Sequence, residues 1–191
     1  MSDKPKFPRE VALPVALELS ELLKSACLPE RLMVCGSLRR NRDRVSDVEI
    51  LYVSKSHPVR DGLFDAVEAQ EVDGVLMCLL SQGVIKKRKT KRDTSTWGPF
   101  NKLAVHTKSG VPVDFFAATE DNWWNQVVCR TGSAENNIRI AAAARKKKMK
   151  WHPYGHGFTD ARHGMGELIP VRSEEDVFRI VGLPYLEPSQ R

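Results

Sequence analysis

Apolar and polar positions alternate along this chain with two different periods, and the change of period marks out its elements. From Val11 to Leu28 the apolar residues Val11, Val15, Leu17, Leu19, Leu22, Leu23 and Cys27 recur at three- and four-residue steps, which predicts a helix. Pro14 falls early in it, where a missing N–H is tolerated. Arg31 to Val34 is a short apolar run ending at Gly36-Ser37, and Val45 to Val53 reads as a strand. Arg60 to Gln82 predicts a second helix, stopped at Gly83. Leu103 to His106 and Val111 to Ala117 are β-prone segments joined by Lys108-Ser-Gly110, which is hairpin chemistry. Beyond Glu120 the pattern turns helical, over Trp123 to Arg130 and Ala134 to Lys150. A glycine-rich loop at Tyr154-Gly-His-Gly157 and an acidic helix start at Ser173-Glu-Glu-Asp176 follow. A boundary near residue 120 divides a domain over 1–120 from one over 121–191.

Two carboxylates interrupt the strand at Val45 to Val53. Asp47 and Glu49 stand two apart, so an extended backbone places them on one face. Like charges there repel, and each is costly if buried alone. Either the strand lies at a sheet edge with that face in water, or a hard divalent cation neutralises the pair. Asp114 adds a third carboxylate inside the apolar run Val-Pro-Val-Asp-Phe-Phe. Three acids on two strands suit a two-metal phosphoryl-transfer site. Gly36-Ser37 ends a strand eleven residues before Asp47, with Arg39 and Arg40 next, and such a turn can present backbone N–H groups to a phosphate.

Charge sharpens the picture. Thirty Lys and Arg against twenty-four Asp and Glu give +6, which permits a polyanionic partner without specifying one. Six of the seven residues from Lys86 to Arg92 are basic, namely Lys86, Lys87, Arg88, Lys89, Lys91 and Arg92, and Lys146, Lys147 and Lys148 form a second run. Both read as phosphate contacts or, more plainly, as solvated charge. Trp123-Trp124 could stack on a base, but packing is the simpler expectation. His152, His156 and His163 lack the companions a zinc site needs. Hydrophobic residues at 41% and charged residues at 28% belong to a globular chain, not a disordered one. No apolar stretch is long enough to span a membrane, and Met1-Ser-Asp-Lys-Pro-Lys has no signal-peptide core. The chain therefore reads as cytoplasmic, with Cys27, Cys35, Cys78 and Cys129 as buried free thiols.

Taken in order, Gly36-Ser-Leu-Arg-Arg40, Ser46-Asp-Val-Glu49, Val113-Asp114, Arg130-Thr-Gly-Ser133 and Asn137-Ile-Arg139 resemble the palm and thumb of family X DNA polymerases, the polymerase-beta-like group. The segment from Asn136 to Gly155 and the stretch Glu174 to Tyr185 resemble the bacterial branch. The resemblance implies an α+β fold: a nucleotidyltransferase palm with a mixed β-sheet and flanking helices, followed by a small α/β thumb.

It also implies roles. Asp47, Glu49 and Asp114 would be catalytic and would bind two Mg²⁺ ions. Ser37 and Arg40 would hold the β- and γ-phosphates of a dNTP, with Gly36 and Ser46 bringing backbone close. Thr131 and Gly132 would line the sugar pocket, and Asn137 and Arg139 would face the nascent base pair and template. DNA, as primer-template or gapped duplex, would be the partner of a monomer acting in gap filling and repair. A template-independent nucleotidyltransferase acting on RNA, DNA or protein is the alternative from the same superfamily, and an inactive DNA-binding module a third reading.

Three departures from the family pattern carry expectations. Glu49 stands where the family usually has Asp, and its extra methylene predicts a shift of metal preference towards Mn²⁺. Cys129-Arg130 replaces an aromatic pair, predicting weakened discrimination against ribonucleotides. Thirty-five residues precede Gly36, room for one helix but not for the lyase domain that most relatives carry.

Overall fold

A computed structural model describes residues 5–61, 65–89, 93–160 and 166–191. In chain order its elements are β1 (Phe7–Pro8), α1 (Arg9–Leu23), β2 (Cys27–Val34), α2 (Gly36–Arg39), β3 (Arg44–Val45), β4 (Val48–Ser54), β5 (Ser56–Asp61), β6 (Asp65–Gln70) and α3 (Glu71–Ser81). There follow β7 (Ile85–Lys87), β8 (Asn101–His106), β9 (Pro112–Ala117), α4 (Trp123–Thr131), α5 (Ala134–Lys146), β10 (Met149–His152), β11 (Gly157–Asp160), β12 (Glu167–Pro170) and α6 (Glu174–Val181). The chain forms two compact units. One comprises Met1–Val34 with Asp43–Ala117, and the other Cys35–Arg42 with Ala118–Arg191.

The first unit is built on a mixed sheet of order β2-β4-β9-β8-β7, in which β4 and β9 run parallel and the other neighbours antiparallel. The interior strand β4 buries Ile50, Leu51, Tyr52 and Val53 in succession, the pattern of a strand covered on both faces. Helix α1 covers the sheet through Ala12, Val15, Ala16, Leu19 and Leu23. Spacing alone does not select this stripe: the alanines go inside, whereas Leu17 is 58% and Leu22 43% exposed. The helix also stops at Leu23, because Cys27 is already in β2, and Pro14 lies within it instead of in its first turn.

The helix expected over Arg60 to Gln82 is only half a helix. Its first part is the hairpin β5–β6, paired from Ser56↔Gln70 to Asp61↔Asp65, and α3 begins at Glu71. The hairpin of β8 and β9 forms as the sequence predicts. Cys27, Cys35, Cys78 and Cys129 are free thiols, but Cys78 is exposed on α3. Burial pushes the Cys27 thiol up to about 11, against the pull of Lys55, so it stays protonated and inert.

The second unit has its own core, in which Val128 and Ile140 pack with Trp151, Phe158, Val177 and Phe178. A three-stranded antiparallel sheet, β10-β11-β12, carries Trp151 opposite Phe158. This sheet ends the helix expected to run to Lys150: α5 stops at Lys146, and Lys148 turns the chain at φ 58 so that Met149 and Trp151 are buried from a strand. Ser133 and Ser173 cap α5 and α6 by accepting from Asn136 N and Asp176 N, as Ser does at helix starts. Gly157 is obligatory, since at φ 130 a Cβ would lie 2.5 Å from the Ile169 carbonyl oxygen. Trp123 is fully buried and meets Trp124 edge-on at 6.5 Å, so that pair packs. Among the described residues, no helix is long and apolar enough to cross a membrane.

Candidate active site

The carboxylates of the first unit lie on its central strands. Glu49 on β4 and Asp114 on β9 are direct partners across the parallel pair, so their side chains leave the same face as neighbours. Both are half-buried, while the flanking Val48, Ile50, Val113 and Phe115 are buried. Because β4 has β2 on one side and β9 on the other, a water-facing sheet edge does not explain the acidic positions. Asp47 and Ser46 precede the strand, in the short connection from β3.

The row continues across the sheet. Asp114 is opposite Leu103 on β8, and Arg88 N donates to the Leu103 carbonyl at 2.9 Å. From there the Arg88 guanidinium crosses Leu103 and meets Asp114 Oδ1 at 2.7 Å. Arg88 thus parts company with the rest of its basic run. Lys86, Lys87 and Lys89 are exposed, with the Lys87 ammonium 5.0 Å from the Trp97 ring centroid and Lys89 paired to Asp93 at 2.6 Å. Lys91 and Arg92 lie outside the described residues.

Glu49 and Asp114 offer hard oxygen donors, and a pair of adjacent carboxylates fits a divalent cation in charge and donor type. The guanidinium on Asp114 is itself evidence that this face takes a cation. Among the described residues, however, no three His, Cys, Asp or Glu side chains converge as a metal site.

In the second unit, Gly36 and Ser37 open the one-turn helix α2, with Gly36 at φ 62. The two arginines that follow are anchored within the same unit. Arg40 donates to the Thr131 carbonyl, and its Nη1 would lie 3.0 Å from a Cβ added at Gly132. Arg39 donates to Thr131 Oγ1 at 2.6 Å and grips both oxygens of Glu174, one of them at 3.0 Å. Arg191 Nη1 donates to the same carboxylate at 2.7 Å. These anchors explain why 35–42 groups with the second unit although it is distant in sequence.

Asn137 donates to the Cys129 carbonyl at 2.9 Å. Arg139 buries Nε and Nη2 with no hydrogen-bond partner among the described residues. Arg130 lies over the Tyr154 ring at 4.8 Å, and Asn125 clamps that loop by donating to the Gly155 carbonyl at 2.9 Å while accepting from Trp151 Nε1 at 2.6 Å. Lys146, Lys147 and Lys148 are exposed, but the Lys147 ammonium donates to the Ile180 carbonyl at 3.1 Å, tying α5 to α6.

Sequence reasoning missed the roles of Glu174, Arg191 and Arg88. Glu174 has a visible signal, the acidic start of α6. The partner of Arg88 has none, because the contact depends on strand order.

Residues 126–191 match the family model described as DNA polymerase beta thumb. The chain is similar to DNA polymerase lambda of Rattus norvegicus, 26% identical over 199 residues, covering 97% of this chain and 33% of that protein. It is similar to the DNA polymerase/3'-5' exonuclease PolX of Bacillus subtilis (strain 168), 26% identical over 186 residues, covering 97% and 28%. It thus spans about a third of the length of these curated relatives. The crystal structure of Leishmania infantum polymerase beta in a ternary P/T complex superposes with a TM-score of 0.74 at 20% identity, over 98% of this chain and 77% of that one.

Proposed function

We propose that the chain is a nucleotidyltransferase of the family X, polymerase-beta-like group, on its similarity to the polymerase beta thumb and to two polymerases of that group, and that it transfers dNMP from a dNTP to a primer 3′-hydroxyl under the direction of a template. The observation that carries the reading is the register pairing of Glu49 with Asp114 on neighbouring parallel strands. Two half-buried carboxylates set side by side offer the charge and the hard oxygen donors that a divalent cation takes.

Asp47, Glu49 and Asp114 would hold the divalent cations, Mg²⁺ or Mn²⁺. A cation there supplies charge neutralisation for the phosphates and a lowered pKa for the attacking hydroxyl. Gly36, Ser37 and Arg40 would bind phosphate through a short turn and a fixed guanidinium, and Ser46 would bring backbone close to the nucleotide. Thr131 and Gly132 would line the sugar pocket, and Gly132 holds φ 72 beside the Arg40 guanidinium. Asn137 and Arg139, both on α5, would face the base pair and template. Lys86, Lys87, Lys89, Lys146 and Lys148 are exposed, as non-specific phosphate contacts require. Gap filling in DNA repair, by a monomer, is the role this chemistry fits.

Extension of a labelled primer on gapped, recessed and single-stranded DNA tests the reading. Wild type is expected to add template-matched dNMP, and Asp114→Asn to lose at least about 10³-fold in rate. Equal addition with and without template would replace this reading with untemplated transfer. Absence of extension on every substrate would overturn it.

A further inference from the structure

The basic run from Lys86 to Arg92 presents exposed lysines, yet its one described arginine turns inward to Asp114. Four positions form a continuous row across the sheet: Arg88, Leu103, Asp114 and Glu49. Neighbours in such a row leave the same face of the sheet. The row therefore holds two carboxylates and one guanidinium, and the guanidinium reaches its partner by spanning a whole strand. The side chains of Arg88 and Asp114 are 24% and 14% exposed, so the pair is shielded but still open to exchange with a cation from solvent.

We propose that Arg88 is a built-in counter-ion that occupies Asp114 in place of a divalent cation and must leave it for the cation to bind. The proposal rests on the reading of Glu49 and Asp114 as a cation site. Its physical basis is competition for one carboxylate oxygen. A guanidinium 2.7 Å from Oδ1 neutralises Asp114 and blocks the approach of a second positive charge, so the intrinsic affinity of the carboxylates is reduced by the free energy of the ion pair. Arg88 is thus a positioning residue that sets how much free cation the site requires.

Binding of Mn²⁺ alone to the purified full chain, followed by electron paramagnetic resonance of the free ion, tests this without any turnover. Arg88→Gln is expected to tighten Mn²⁺ binding about five- to tenfold. Lys86→Gln removes a charge from the same strand without touching Asp114 and is expected to change it less than about twofold. Arg88→Lys keeps a charge but shortens the reach across Leu103, giving an intermediate tightening of about two- to threefold and a second test should Arg88→Gln fold poorly. Asp114→Asn should abolish the tight site in every background.

Loss of the site in Asp114→Asn with unchanged affinity in Arg88→Gln and Arg88→Lys would overturn the counter-ion proposal and leave the cation site standing. Equal tightening by Lys86→Gln and Arg88→Gln would overturn it in favour of general surface charge. Mn²⁺ binding that ignores Asp114→Asn, or no binding by any variant, would overturn the cation site and the proposal together.

Discussion

Arg39 and Glu174, 135 residues apart in sequence, form a two-pronged ion pair in which both carboxylate oxygens accept from one guanidinium. Arg191 completes the cluster, with its guanidinium 5.1 Å from the Phe178 ring centroid and 5.3 Å from that of Tyr185. Glu174 is 6% exposed and Arg191 5%. One buried carboxylate thus holds two guanidinium groups, and its removal leaves both without their counter-charge. Glu174→Ala is expected to destabilise the chain by about 3–5 kcal/mol, measured as a shift of the urea midpoint at constant slope.

The same cluster predicts a dependence on pH. Burial pushes the Glu174 carboxyl up, but the hydrogen bonds and charges of Arg39 and Arg191 outweigh it and hold the group below its ordinary value of 4.5. A carboxyl depressed in the folded state contributes stability above its unfolded value and loses it as pH falls through the folded one. Wild type should therefore lose part of its advantage over Glu174→Gln only when the pH drops below about 4.5. Melting temperatures of both proteins from pH 7 to pH 3 check the sign, and a gap that widens on acidification would contradict it.

In the first unit Lys102 is 3% exposed and its ammonium lies 2.8 Å from Asp73, whose side chain is 45% exposed. Asp73→Ala strands a buried cation and is expected to cost about 3 kcal/mol, whereas the double substitution Asp73→Ala with Lys102→Met should recover most of the loss. Denaturant titration of the two single variants and the double variant measures the coupling.

Glu49 carries the longer of the two acidic side chains on a strand whose register with Asp114 is set by backbone pairing. If the extra methylene displaces the cation, wild type should extend a primer faster with Mn²⁺ than with Mg²⁺, and Glu49→Asp should raise the Mg²⁺ rate by about tenfold. Single-turnover rates with each metal decide this. Equal rates with both metals in wild type would remove the idea.

Arg130 stands immediately before Thr131 and Gly132 and is held over Tyr154. If Thr131 and Gly132 line a sugar pocket as proposed, a half-buried guanidinium at this position would crowd the sugar less than an aromatic ring and could donate to an added hydroxyl. Arg130→Phe is expected to increase the preference for deoxyribonucleotides over ribonucleotides by about tenfold, read from paired single-turnover incorporation. A strong deoxyribonucleotide preference in wild type would refute the premise.

Much of the architecture is already legible along the chain. The alternation from Leu103 to Ala117 predicts β8 and β9, the acidic segment from Ser173 predicts the start of α6, and Asp47, Glu49 and Asp114 stand out as charges in apolar runs. These features depend on interactions within a few residues, so periodicity and capping chemistry suffice to find them. The hairpin β5–β6 is not legible in this way, because its strands are stabilised by each other and not by their own pattern. The same holds for the end of α5, where burial of Met149 and Trp151 in a three-stranded sheet overrides a helical composition.

Charge pairing goes furthest beyond local reading. In sequence, Arg88 is one of six equivalent cations, and Arg39 is indistinguishable from Arg40. Strand order puts Asp114 within reach of Arg88, and packing of α2 and α6 within one unit puts Glu174 against Arg39. The chain by itself determines which charges exist and which local elements carry them. Which opposite charges meet, and which are left to water, depends on distances between segments far apart in sequence, and only the folded packing sets those distances.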